Sequence, residues 1–146
     1  MYPQIELNYL AITAAVIANF ILGALWYGPL FGKAWAKEVG IGDSNMPSKN
    51  DMMRAMILTV IGAFLTAYVI SHSSAVWRPS VWNAGPDGEA WSYGFYTGFF
   101  VWIGYYVPQI LNLVGFERRS WKFFAINGGY AFISLQIVAM IVSFWR

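Results

Sequence analysis

Four long stretches of this chain contain no Asp, Glu, Lys or Arg. They cover residues 7–32, 55–77, 90–116 and 123–145, and His72 is the only histidine inside them. Because an α-helix rises 1.5 Å per residue, even the shorter stretches reach about 34 Å, which exceeds the roughly 30 Å of a bilayer's hydrocarbon core. The polar–apolar alternation of transmembrane β-strands is absent. The sequence therefore predicts an all-α, polytopic membrane protein with a bundle of four transmembrane helices.

The composition agrees with a lipid environment. Only 11% of the 146 residues are charged and 58% are hydrophobic, whereas about 25% are charged in a typical soluble domain. We predict one transmembrane domain over residues 1–146, with helices at approximately 8–30, 53–74, 91–114 and 120–145. We expect the first helix to be retained and not cleaved as a signal peptide, because no basic segment precedes it.

Lysine and arginine are distributed unevenly between the two ends of the predicted helices. Only Arg78 and Arg146 lie on the side that carries the termini. The other side holds Lys33, Lys37, Lys49, Arg54, Arg118, Arg119 and Lys122. Because basic connections stay in the cytoplasm, this asymmetry predicts an N-out/C-out topology. For a bacterial chain, the location would be the inner (cytoplasmic) membrane.

The first predicted helix ends in an unusual sequence, GALWYGPLFGKAW, at residues 23–35. Pro29 would stop or bend the helix, and Gly28 and Gly32 would let the backbone turn. The aromatic residues beside Lys33 fit the belt that anchors a helix at the level of the lipid headgroups. Two interpretations remain open: this segment is an anchor and helix stop, or it also forms the rim of a binding site.

A longer segment around this sequence resembles a known family. Residues 7–35, LNYLAITAAVIANFILGALWYGPLFGKAW, are similar to the N-terminal signature of bacterial membrane proteins catalogued as domain of unknown function 1761. The residues that carry the resemblance are Asn8, Tyr9, Leu10, Gly23, Trp26, Tyr27, Pro29, Phe31, Gly32 and Trp35. The four-helix layout agrees more loosely over the remainder. The resemblance implies a small integral membrane protein, and it implies no activity and no catalytic residue.

Uncharged polar residues recur inside the predicted helices. Asn19 shares a face of helix 1 with Gly23, four residues later. One interpretation is that small residues let the helices approach while amides hydrogen-bond between them. The other is a shared polar cavity, which Pro108 would support by depriving the carbonyl near Gly104 of its helical donor. The predicted cavity residues are Asn19, Gly23, Trp26, Tyr27, Tyr105, Gln109, Asn112 and Asn127.

Helices 1 and 3 also share a motif. Helix 1 ends with Trp26 and Pro29 before a basic connection, and helix 3 contains Trp102 and Pro108 before a basic turn. The two helices would run in the same direction, as a parallel repeat requires. The spacings differ, so the sequence is compatible with a duplication without establishing one.

Several functional classes lack the residues they need. No carboxylate or basic side chain lies inside the four stretches, so a proton relay or an ion-coupling site has no candidate. His72 alone cannot form a metal site, and the chain has no cysteine. We therefore predict no enzyme activity, no metal and no cofactor, and the net charge of +2 gives no indication of nucleic-acid binding. An anionic lipid headgroup would suit Arg118, Arg119 and Lys122, although the topology explains these residues equally well.

Two hypotheses for the function remain. The first is a non-enzymatic oligomer that binds or passes a small uncharged solute or a lipid through a polar intramembrane cavity. The second is a structural or accessory membrane subunit whose polar residues serve helix packing and assembly. The expected partners are membrane lipids and either further copies of the chain or another membrane protein.

Overall fold

The computed structural model describes residues 2–146, and these residues form helices with no β-strand among them. The α-helices are α1 (Tyr9–Leu25), α2 (Gly32–Val39), α3 (Lys49–Val76), α4 (Ala90–Val101), α5 (Val107–Phe116) and α6 (Trp121–Phe144). A π-helical segment at Trp26–Leu30 lies between α1 and α2. A second one at Trp102–Tyr106 connects α4 to α5. Short 3-10 turns occur at Asp43–Asn45 and Pro79–Trp82.

Four helical units within the described residues are long and apolar enough to cross a membrane. They are Tyr9–Leu30, Lys49–Val76, Ala90–Phe116 and Trp121–Phe144. The prediction of an all-helical chain with four membrane-capable helices is therefore confirmed.

Side chains at the helix starts explain where three of these units begin. Asn8 Oδ1 accepts hydrogen bonds from the backbone N–H groups of Leu10 and Ala11, at 3.0 and 3.1 Å. Ser48 and Asp51 form a capping box, which starts α3 at Lys49, four residues before the predicted start at 53. At the start of α6, the Ser120 hydroxyl accepts a hydrogen bond from the Phe123 N–H at 3.0 Å.

The bundle has two unlike ends. We call the end with residues 2–8, 77–89 and 144–146 the terminal end, and the end with residues 31–48 and 117–120 the basic end. The buried core lies towards the terminal end, where α1, α3 and α6 meet, and consists of Ile12, Ala15, Ala67, Ile70, Leu135, Val138, Ala139 and Val142. Each of these residues is at most 4% exposed.

Two glycines bring α4 against α6. A Cβ atom added to Gly94 would lie 3.1 Å from the Ala139 carbonyl oxygen, and one added to Gly98 would lie 3.2 Å from that of Leu135. Larger residues would force the two backbones apart. This contact fixes which side of α4 faces the bundle. It also fixes the orientation of α5, because α4 and α5 belong to one helical unit, Ala90–Phe116.

The loop of residues 77–89 folds back over the terminal end. Arg78 is 5% exposed, and its Nη2 donates to the Ser143 carbonyl at 2.8 Å while Nη1 pairs with Asp87 at 3.4 Å. Its guanidinium lies 4.5 Å from the centre of the Tyr93 ring. Partial burial raises the pKa of Asp87, but hydrogen bonds from the Ser80 N–H and from Arg78 outweigh this effect and hold the pKa below its usual range. The loop is thus fastened to the last helix.

Candidate functional site

The first helical unit bends near its end, at Gly28. Gly28 adopts a non-helical conformation (φ −104°, ψ −105°) directly before Pro29. The N–H of Phe31 donates to the Trp26 carbonyl at 2.8 Å, which is a π-type spacing of five residues. A Cβ atom on Gly32 would lie only 2.6 Å from the Tyr27 carbonyl oxygen, so only glycine fits there. The chain turns here as the sequence predicts, and α2 follows.

The π-helical segment brings two aromatic side chains against α6. Trp26 Nε1 donates to the Ile126 carbonyl at 3.1 Å, and the Tyr27 hydroxyl donates to Asn127 Oδ1 at 2.9 Å. Asn127 Nδ2 in turn donates to the Phe123 carbonyl at 2.9 Å. These residues form a polar seam between α6 and the first helical unit, Tyr9–Leu30, which we call helix 1. The seam lies in the half of the bundle nearer the basic end.

Asn19 lies near the middle of the bundle and is 8% exposed. Its Oδ1 accepts hydrogen bonds from Ser134 Oγ at 2.5 Å and from the Tyr130 hydroxyl at 3.3 Å. Gly23 leaves room for this tyrosine, since a Cβ atom there would lie 3.2 Å from the Tyr130 hydroxyl oxygen. Asn19 Oδ1 accepts both hydrogen bonds. Among residues 2–146, no side chain accepts a hydrogen bond from Asn19 Nδ2.

A cavity of about 220 Å³ lies beside Asn19, between helix 1, α3 and α6. On the terminal side it ends against the core, where Ala15, Ala67 and Leu135 are at most 1% exposed. Its wall contains amide and hydroxyl groups and no charged side chain. The lining residues are Asn19, Thr59, Gly62, Ala63, Thr66, Tyr106, Tyr130, Ala131, Ser134 and Leu135.

The structure brings together only part of the predicted cavity set. Asn19 lines the cavity, whereas Gly23, Trp26, Tyr27 and Asn127 form the adjoining seam. The remaining three residues, Tyr105, Gln109 and Asn112, are exposed on the outside of the third helical unit. Within one copy of the chain, the four amides therefore do not meet in a single cavity.

Five hydroxyl-bearing residues of the cavity, Thr59, Thr66, Tyr106, Tyr130 and Ser134, were not among the predicted site residues. Tyr130 and Ser134 share the face of α6 that also carries Asn127, at spacings of three and four residues. Thr59 and Thr66 similarly lie seven residues apart on α3. These spacings are visible in the sequence, but they do not reveal which neighbouring helix each face meets.

A second and larger cavity of about 550 Å³ opens between α3 and α4 near the terminal end. Aromatic and hydroxyl-bearing side chains line it, including Ser73, Trp77, Tyr93, Tyr96, Thr97 and Phe100. Tyr105 is the only predicted site residue that lines it. It is an open groove along the outside of the bundle.

The three residues predicted for an anionic headgroup lie around the start of α6. Arg119 pairs with Glu117 at 3.5 Å, and its guanidinium lies 5.5 Å from the centre of the Phe123 ring. Arg118 has a positive φ of 54°, and Lys122 is exposed. Arg118 and Arg119 belong to the turn before α6 and Lys122 to its first turn, with the carboxylate of Glu117 nearby.

His72 makes a local contact. Its Nδ1 lies 3.1 Å from the Tyr68 carbonyl oxygen, and its ring packs edge-on against the Tyr68 ring. Across residues 2–146, no group of three or more His, Asp or Glu side chains could hold a metal ion.

These features define a class of protein. Four membrane-capable helices around an uncharged polar cavity indicate a small multi-pass membrane protein. The chain belongs to the family described as protein of unknown function (DUF1761), whose sequence profile matches residues 10–143. This match confirms the resemblance noted in residues 7–35 and extends it over nearly the whole chain. Comparison with curated proteins and with solved structures gave no match.

Proposed function

We propose that this protein is a non-enzymatic, N-out/C-out protein of the bacterial inner membrane that binds a small uncharged molecule, or the uncharged part of a lipid, in the cavity beside Asn19. The observation that carries this proposal is the amide of Asn19. It lines the cavity, it is 8% exposed, and its Nδ2 donors are left over after Oδ1 has bound two hydroxyls. Because Nδ2 donates to no described residue, a ligand with an acceptor group would gain a hydrogen bond from it.

The chemistry of the wall supports an uncharged ligand. Thr59, Thr66, Tyr106 and Ser134 add hydroxyl groups that both donate and accept hydrogen bonds. No side chain in the wall would neutralise an ion, and an unpaired charge at this depth of a bilayer is expensive. The volume of about 220 Å³ is below the usual 300–1,000 Å³ of drug-sized pockets, which favours a small molecule or a single lipid group.

The packing favours binding over passage. Any route from the cavity to the terminal end would cross the core around Ala15, Ala67 and Leu135, which leaves no space in one copy of the chain. Towards the basic end, in contrast, every residue from 49 to 62 of α3 is exposed. The ligand would therefore enter and leave on the same side of the core.

A cavity-filling variant tests this proposal. Gly62 lines the cavity, and a Cβ atom there meets no atom within 4 Å, so Gly62→Leu is chosen to place a larger side chain in the cavity. Ala55→Leu, on an exposed part of α3 outside the cavity, is the matched control. The measurement is native mass spectrometry of protein released from nanodiscs made of its own membranes. We expect the same added mass on the wild type and on Ala55→Leu, and its loss from Gly62→Leu. A bare wild type, or a retained mass on Gly62→Leu, would overturn the proposal.

The second candidate function is an accessory membrane subunit in which the polar residues serve helix packing. The bond between Tyr27 and Asn127 and the two bonds to Asn19 Oδ1 favour it, because all three join helix 1 to α6. In that case Asn19→Leu would lower thermal stability, no small mass would be retained, and another polypeptide would copurify in fixed proportion with the wild type.

A further inference from the structure

We propose that two copies of the chain pair through the outer face of α5, in a parallel dimer in which Gln109 and Asn112 hydrogen-bond to the same residues of the second copy. This inference rests on the membrane location given above, and it does not depend on a ligand in the Asn19 cavity. It assigns a role to predicted site residues that the single chain leaves outside.

The outer face of α5 carries polar side chains without partners. Gln109 and Asn112 are exposed, and the structure gives their side chains no hydrogen bond within residues 2–146. Tyr105, one turn before Gln109, and Phe116, one turn after Asn112, continue the same stripe and are 68% and 89% exposed. The stripe is therefore a continuous surface about three turns long.

The opposite face of α5 is already occupied, so a small rotation cannot bury these amides inside the bundle. Ile110 is 8% exposed, and its Cδ1 lies against Gly128 of α6, 3.8 Å from where a Cβ atom would be. The contacts of Gly94 and Gly98 with α6 fix the same orientation nearer the terminal end of this helical unit.

The depth of the stripe makes exposure to lipid unfavourable. The unit Ala90–Phe116 has 27 residues, which is about 40 Å of helix, so roughly 5 Å would extend beyond a 30 Å hydrocarbon core at each end. Gln109 lies seven residues, or about 10 Å, before the end of this unit and therefore inside the core, whereas Asn112, about 6 Å before the end, lies at its edge. Lipid tails offer no hydrogen-bond partner to an amide at that depth.

A second copy of the chain is the partner that these side chains fit. Copies inserted with the same topology are related by a twofold axis along the membrane normal, which places each residue near the axis opposite itself. A carboxylate or an ammonium group would repel its own copy there. An amide both donates and accepts, so Gln pairs with Gln and Asn with Asn. Gly115 lies on the same face, and a Cβ atom there would meet nothing within 4 Å, which allows the two backbones to approach closely.

The absence of cysteine from the chain makes disulfide cross-linking a direct test. Phe116→Cys places one thiol at the end of the stripe and leaves both amides in place. Met53→Cys, exposed near the basic end of α3, is the control thiol. Carbonate-washed membranes are oxidised with copper phenanthroline and analysed on non-reducing gels, so that only embedded protein is measured. We expect a dimer band to form about tenfold faster with Phe116→Cys than with Met53→Cys, because pairing raises the local thiol concentration.

Two further variants in the Phe116→Cys background separate the dimer from the ligand site. Replacing Gln109 and Asn112 together by Leu should slow cross-linking roughly sevenfold, as expected from the loss of two interhelical hydrogen bonds. Gly62→Leu, which fills the cavity, should leave the rate unchanged. Equal rates for Phe116→Cys and Met53→Cys, or an unchanged rate in the double Leu variant, would overturn the dimer. If Gly62→Leu failed to affect ligand retention, the proposal of a ligand site would be wrong, but the proposal of a dimer would be unaffected.

Discussion

The two halves of this bundle are packed in different ways. Towards the terminal end, core residues such as Ile12 and Leu135 are almost completely buried, and Arg78 ties the covering loop to the last helix. Towards the basic end, residues 49–62 of α3 are exposed on every side, and a polar cavity separates α3 from helix 1 and α6. The core among α1, α3 and α6 thus has a closed half and an open half, and the groove of about 550 Å³ between α3 and α4 lies outside this core.

The difference between the halves follows from their side chains. Alanines and glycines at the terminal contacts let backbones approach, which is how helices gain packing energy where lipid is as apolar as the protein. Near the basic end, tyrosines, threonines and amides take the place of these small residues and hold the helices apart. A rigid half next to a looser half is the arrangement expected of a protein whose binding region needs some freedom to open.

The largest expected effect concerns the loop contact at the closed end. Arg78→Met would remove one of the two arginines that pair with Asp87, the other being Arg146 at 3.0 Å. It would also leave the Ser143 carbonyl without its donor. We expect the free energy of unfolding to fall by about 3 kcal/mol, from the unsatisfied carbonyl together with the lost ion pair and the lost contact with the Tyr93 ring. Thermal unfolding in detergent, followed by tryptophan fluorescence, measures this loss. The exposed Arg54→Met is the control, and equal melting temperatures for the two variants would contradict the role of Arg78.

A pair of isoleucine variants tests the contrast between the halves most simply. Ile70→Ala opens a hole in the closed half, where this isoleucine is 1% exposed, whereas Ile57→Ala changes an exposed position of the open half. We expect a loss of about 2–3 kcal/mol for Ile70→Ala and less than about 0.5 kcal/mol for Ile57→Ala in the same unfolding assay. Similar losses for both would mean that the open half is packed in the membrane.

A pH dependence is expected at the closed end. Because the pKa of Asp87 is lower in the folded protein than its ordinary value, its stabilising contribution is complete above that ordinary value, near pH 4. The contribution is lost as the pH falls through the folded pKa. Unfolding midpoints measured from pH 6 to pH 3 should therefore decrease less steeply in Asp87→Asn than in the wild type. Parallel curves would exclude this contribution.

The smallest expected effect lies in the seam of the open half. Tyr27→Phe removes the hydroxyl that donates to Asn127, and the chain keeps its other contacts between helix 1 and α6. Such bonds between membrane helices average about 0.6 kcal/mol, so we expect a decrease of that size. Tyr9→Phe, at an exposed position, is the control and should change nothing. A loss above about 2 kcal/mol would show that the seam is as important for stability as the core.

The helices themselves could be predicted from the sequence, because unbroken apolar stretches and caps such as Ser48 act locally. The site could be predicted only in part. The spacing of Tyr105, Gln109 and Asn112 shows that they share a face. Whether that face points inward depends on how the helix is rotated, which Gly94 and Gly98 decide through contacts with a helix some forty residues later. Periodicity alone carries no information about that rotation.

The motif shared by helices 1 and 3 proves closer in structure than in sequence. Trp26 and Trp102 each begin a π-helical segment in which a backbone N–H five residues later donates to the tryptophan carbonyl. Both indole N–H groups donate to carbonyls of α6, those of Ile126 and Gly128. The two helical units thus contact α6 in corresponding ways, while their prolines differ in spacing. The unequal spacing is what conceals the correspondence in the sequence.

The central claim is that the open half admits small uncharged molecules and the closed half does not. Single cysteines test it, with Thr66→Cys in the cavity wall and Ser74→Cys at a position 2% exposed in the closed half. The measurement is the rate of labelling in membranes by an uncharged methanethiosulfonate, which transfers a methylthio group to the thiol and releases a sulfinate, and by its negatively charged sulfonatoethyl analogue. The account predicts that Thr66→Cys reacts with the uncharged reagent alone and that Ser74→Cys reacts with neither. An unreactive Thr66→Cys, or one that reacts equally with both reagents, would contradict it.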